Sequence, residues 1–96
     1  MLTPKQRSHL RGLAHKLKPV VHIGKGGIDD GLLSAVETAL LTHELIKVKV
    51  GENAGVERHE AGEQIATKTR SQLAGVLGNI VILYKPHPDE PTIVLP

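Results

Sequence analysis

Pro19-Val20-Val21-His22-Ile23-Gly24-Lys25-Gly26-Gly27-Ile28-Asp29 is the stretch on which the fold turns. Pro19 to Ile23 is a short β-rich run, and a glycine cluster follows it directly. Asp29 is a good helix N-cap, with Ile28 and Leu33 spaced as a hydrophobic staple across it. Strand, glycine turn and capped helix in immediate succession predict an αβ unit. Its turn allows close approach of bare backbone, and the following helix aims unpaired N–H groups and the positive end of its dipole at that turn.

Upstream, Thr3-Pro4-Lys5-Gln6 reads as a capping box with proline at the first helical position. Leu10, Leu13, Ala14 and Leu17 recur at 3-4-3 spacing and predict one apolar helix stripe running until Pro19. Downstream, Leu32, Val36, Ala39 and Leu40 mark the buried side of a helix that fades near His43. Leu45 to Val50 alternates, with Ile46, Val48 and Val50 on one side and Lys47 and Lys49 on the other, as a strand with at least one wet face does. A weaker pattern over Val56 to Thr69, interrupted by Gly62, predicts a third helix. Leu73 to Leu77 and Ile80 to Lys85 are strands joined by the hairpin pair Gly78-Asn79. Pro86, Pro88 and Pro91 mark residues 86–96 as an extended tail, with 92–95 a possible edge strand. The expectation is one α/β (α+β, two-layer) domain over residues 1–96, ordered α-β-α-β-α-β-β, with a four-stranded mixed sheet.

Charge is divided along the chain. Six of the twelve Lys and Arg residues and none of the ten acids lie in residues 1–28, so a net charge of +2 conceals a cationic end. Such a surface suits an acidic macromolecule. With no cysteine, thiolate metal sites, disulfide scaffolds and cysteine nucleophiles are excluded. No apolar run approaches the roughly 20 residues that cross a bilayer, and no secretory core follows Met1. A cytoplasmic protein without cofactor or membrane partner is expected.

At the glycine cluster, Gly24, Gly26 and Gly27 permit close approach and Lys25 supplies charge, an arrangement suited to a phosphate. The same glycines would serve a turn that needs them only for its backbone angles. The spacing fits neither a Walker loop nor a dinucleotide fingerprint. Arg7, Arg11 and Lys18 fall on one flank of the first helix and could track successive phosphates, with Lys47, Lys49 and Arg70 as further candidates. His43-Glu44 and His59-Glu60 begin like zincin motifs but lack the second histidine, so no metal is expected. Asp29 and Asp30 are read as helix-terminal acids in preference to a Mg²⁺ site, and no serine has the setting of a nucleophile elbow.

Tyr84 is the only aromatic residue, which argues against a sheet that stacks unpaired bases and for recognition through backbone and shape. A strand separates the first two helices, so there is no helix-turn-helix pair, and RNA is the favoured partner. The runs Leu10-Arg11-Gly12-Leu13-Ala14-His15, Leu17-Lys18-Pro19-Val20-Val21 and Ile23-Gly24-Lys25-Gly26-Gly27 closely resemble the YhbY family. These are single-domain bacterial versions of the chloroplast RNA splicing and ribosome maturation (CRM) domain. Glu44 to Lys49 and Gly78 to Lys85 are similar to the family pattern as well, while Gly26 departs from it, standing where the family often has a polar or basic residue. The resemblance implies a fold like the C-terminal domain of translation initiation factor three. It implies RNA binding through the glycine loop and nearby basic residues, and association with precursors of the large ribosomal subunit, without enzymatic activity. By matching positions, Gly24 and Gly27 take the two fixed glycines, Lys25 the basic site beside them, and Arg11 and Lys18 the basic helix region. A basic protein-interaction module and, further off, a Mg²⁺-dependent phosphoester enzyme are the alternatives.

Overall fold

The computed structural model describes all 96 residues. Helix α1 spans Pro4–Ala14, strand β1 Val21–Ile23, helix α2 Asp30–His43 and strand β2 Leu45–Val50; helix α3 is Arg58–Thr69, and strands β3 and β4 are Gln72–Leu77 and Ile80–Tyr84. The strands form one mixed sheet in the order β1-β2-β4-β3. β1 runs parallel to β2, and the other two pairings are antiparallel. The predicted element order and sheet type are those observed.

Alternation along β2 and β4 builds two cores, one on each side of the sheet. Ile46, Val48, Val81 and Leu83 face α2 and α3, where they join Val36, Leu40, Ala61 and Ile65. Leu45, Ile82 and Tyr84 face the opposite way and pack with Leu10 and Ala14 of α1. Glycine at position 62 contributes to this packing. A Cβ there would lie 2.9 Å from Leu73 Cδ1 and 3.2 Å from Val81 Cγ1, so the bare residue lets α3 settle onto the sheet. The interruption in the sequence pattern is therefore a close-contact point.

The caps formed as expected. Thr3 Oγ1 accepts from Gln6 N–H at 3.1 Å while Gln6 Oε1 accepts from Thr3 N–H at 3.0 Å. Asp29 Oδ1 accepts from Leu32 N–H at 2.8 Å. The apolar stripe of α1 is a correction. The helix stops at Ala14, five residues before Pro19, and only Leu10 and Ala14 are buried, whereas Leu13 and Leu17 are 44% and 39% exposed. The chain must leave the helix early to enter Lys18-Pro19 in extended form, since the residue before a proline disfavours helical angles.

The tail is a second correction. Residues 92–95 form no strand. Glu44, which caps α2 with φ 61°, is 3% exposed and gathers the tail instead. Its carboxylate accepts from the backbone N–H groups of His87 at 2.7 Å, Thr92 at 2.9 Å and Ile93 at 3.0 Å, and from the Thr92 hydroxyl. One buried carboxylate thus replaces a ladder of strand hydrogen bonds. The Thr92 hydroxyl leads the effects that hold the Glu44 carboxyl at about 2, against an ordinary 4.5, with the three backbone N–H groups adding to it and burial opposing.

A carboxyl whose folded value is depressed contributes stability that is complete above about 4.5 and declines as pH falls toward about 2. Protection of the Thr92 and Ile93 amides, measured as exchange relative to the intrinsic rate at each pH, should fall across that window before that of the sheet amides does. Glu44→Gln should reproduce the loss at neutral pH, costing about 2 kcal/mol in denaturant unfolding, as expected for hydrogen bonds to a charged acceptor.

Candidate nucleic-acid interface

Three connections meet at one end of the sheet. Gly51 N–H donates to Ile23 O at 2.9 Å and Val50 N–H to Asn79 O at 2.8 Å, which ties the glycine loop, the β2–α3 loop and the β3–β4 hairpin together. Within the glycine loop, Gly27 N–H donates to Gly24 O at 2.9 Å and closes a tight turn. Gly27 has φ +67°, and a Cβ on it would lie 3.2 Å from Ala54 O, so this glycine is required by the fold. Gly24 differs. Nothing lies within 4 Å of its Cβ position, and Gly24, Lys25 and Gly26 are all exposed.

At the end of helix α2, Asp29 itself takes part of what the sequence offers an anion. Asp29 Oδ1 already satisfies Leu32 N–H, and Oδ2 stands 3.1 Å from where a Cβ on Gly26 would be. The carboxylate takes up the dipole and sets a negative charge against the Gly26 side of the loop. Gly24 and Lys25 form the other side of the turn, with no carboxylate within ion-pair distance of Lys25.

On that side the sheet face is basic. β1 and β2 pair His22 with Lys49, and both are exposed; Lys47, half-buried, points the same way one step down the strand. These residues share the face that α1 covers further along. α1 carries no acid, and neither does this side of the four strands. The acids Asp29, Asp30, Glu37, Glu57, Glu60 and Glu63 sit on or beside α2 and α3, across the sheet. No Lys or Arg in the chain lies within ion-pair distance of a carboxylate, the one ion pair being His59 with Glu57 at 2.9 Å. Glu57 acts locally as the α3 cap. The backbone N–H and then the ring of His59 hold its carboxyl at about 2.

The structure brings together some of the expected residues and separates others. Gly24, Lys25, Gly26 and Gly27 form the exposed turn. Arg7 is half-buried and donates from Nη1 to Leu2 O at 2.9 Å. Arg11 lies across the edge strand, donating from Nη1 to Ala74 O at 3.3 Å, with its Cδ 2.8 Å from the Cβ position of Gly75. Both arginines therefore fasten α1 with part of their donor set. Lys18 stands at the other end of β1, beside an apolar depression of about 430 Å³ lined by Leu13, Leu17, Val20 and His43. His22 was absent from the sequence reading. Its proximity to Lys49 depends on a parallel pairing that no alternation pattern in a three-residue strand could reveal. No three His, Cys, Asp or Glu side chains converge as metal ligands, and no helix is long and apolar enough to cross a membrane.

Comparison with known proteins agrees with this architecture. The Probable RNA-binding protein YqeI of Bacillus subtilis is 40% identical over 96 residues, covering all of both chains. An RNA-binding protein of Haemophilus influenzae is 42% identical over 98 aligned residues, covering 99% of this chain and 95% of its own length. The solution structure of the Staphylococcus aureus hypothetical protein SAV1595 superposes over the whole of both chains with a TM-score of 0.85 at 38% identity. Residues 2–85 match the CRS1 / YhbY (CRM) domain. With that match spanning all seven helices and strands, the chain belongs to the CRS1/YhbY (CRM) domain family.

Proposed function

We propose that this protein binds RNA, laying the Gly24–Lys25 side of its glycine loop against the sugar-phosphate backbone. The observation that carries the reading is an exposed glycine turn beside strands that carry no acid and whose lysines have no carboxylate partner. Gly24 and Gly26 let the strand approach, Lys25 neutralises a phosphate, and His22, Lys47 and Lys49 extend the surface over β1 and β2. Arg7 and Arg11 combine two duties, anchoring α1 through backbone carbonyls while adding charge to the same layer. Lys18 serves a strand long enough to reach the far end of β1. The relatives named for RNA binding support the partner class. The family resemblance supports ribosomal RNA in precursors of the large subunit, and hence a cytoplasmic, non-catalytic assembly role.

The basic contribution is measured by salt. On single-stranded RNA each neutralised phosphate contributes about −0.7 to the slope of log K against log salt. Lys25→Ala should weaken binding to every sequence alike and flatten the slope by about that amount; an unchanged slope in titrations over a salt series would remove Lys25 from the phosphate contact.

Close approach is tested at Gly24. Valine at Gly27 would be strained by the positive φ and by Ala54 O, so its effect would mix folding with binding. Gly24→Val meets open space, should leave thermal stability nearly unchanged, and should reduce RNA affinity at least tenfold by holding the phosphate away. Full affinity in a folded Gly24→Val protein would refute the backbone contact while leaving RNA as the partner.

A further inference from the structure

One groove at the loop end of the sheet has a lining unlike the rest of the basic face. It has a volume of about 530 Å³ and runs between the glycine turn and the β3–β4 hairpin; His22, Gly24, Lys49, Glu52, Asn53 and Asn79 are among its walls. Its walls hold the cations and the bare backbone assigned above to phosphate, and beside them the exposed side chains of two asparagines and a glutamate. No ion pair or side-chain hydrogen bond within the chain uses Glu52, Asn53 or Asn79; Asn79 participates only through its backbone carbonyl, which accepts from Val50 N–H at 2.8 Å.

A carboxylate in the wall of a phosphate-binding groove repels phosphate, so a second phosphate does not suit this part of it. It suits a group that presents N–H donors. Paired donors and acceptors on Asn, with an acceptor-only carboxylate beside them, match the hydrogen-bonding edge of a nucleobase. We infer that the groove takes one unpaired base of the bound RNA, next to the phosphate at Gly24–Lys25, and that Glu52 selects guanine. Guanine offers two adjacent N–H groups on its Watson–Crick edge to the two carboxylate oxygens. Adenine and cytosine offer one exocyclic amine each. Uracil has a single N–H between two carbonyls, which the carboxylate repels. His22 supplies a flat ring at the groove wall, where aromatic side chains are otherwise missing. The inference rests on the RNA-binding reading and adds to it a preference for one base.

The test uses the full chain and a short oligouridine, compared with the same strand carrying one central guanosine, inosine, adenosine or cytidine, with affinity read by fluorescence anisotropy. The guanosine strand should bind about tenfold more tightly than oligouridine, the discrimination expected of one bidentate contact. Inosine, which lacks the exocyclic amine, should lose most of that gain. Glu52→Gln should abolish the guanosine preference with the salt slope unchanged, and Asn79→Ala should reduce it several-fold. Glu52 is exposed in a loop, so neither its substitution nor the exposed Asn79 threatens the core. If Glu52 is only an electrostatic neighbour, Glu52→Gln will tighten all strands equally, and the inference is wrong. Equal binding of all strands by the unaltered protein, with a normal salt slope, would likewise overturn the base site while RNA binding stood. Absence of binding to any strand would overturn both.

Discussion

The constraint on which this structure depends is that β4 is buried on both of its faces, with β2 beside it buried on one face throughout and on the other at Leu45. β2 and β4 pair antiparallel through five positions, and Val48 opposite Val81 has no exposed surface at all. Side chains that alternate along these strands must therefore satisfy two cores at once. A register slip of one residue would drive Lys47 and Lys49 into the layer beneath α2 and α3, and Ile46 and Val48 out of it. Register fixed in this way also aligns Ile23, Val50 and Asn79, and so decides which loops stand side by side.

Local chemistry was the most legible part. A capping box, an aspartate cap, an alternating strand and a Gly-Asn hairpin each act within a few residues, and each formed where the sequence placed it. What could not be read was set by partners distant in sequence. Leu13 and Leu17 fit a helical stripe, yet the sheet accommodates only Leu10 and Ala14. Residues 92–95 fit a strand, yet they pair with no strand, and Glu44 takes the N–H groups of Thr92 and Ile93. Gly62 interrupts the helical pattern, and its reason lies in Leu73 and Val81, which are distant in sequence and packed against it.

The same division runs through the site. The glycine turn was visible because its residue types are unusual, but the two outer glycines turned out to have different reasons. Gly27 satisfies a backbone angle and a neighbouring carbonyl, while Gly24 faces open solvent without either demand. A cationic flank on a helical wheel did not reveal that Arg7 and Arg11 spend donors on Leu2 and Ala74 carbonyls.

The gathering of cations in the opening segment has a kinetic consequence. A molecule with six Lys and Arg and no acid in residues 1–28 is charged unevenly even though its net charge is only +2. In the field of a polyanion such a body feels a torque that turns its cationic segment forward before any atoms touch, over distances up to about the Debye length of 8 Å at physiological ionic strength. Most random collisions between a small protein and a long strand are wrongly oriented. Cations gathered in one segment raise the share of aligned arrivals at a polyanion, so the placement of charge acts on the rate of such an encounter as well as on its strength.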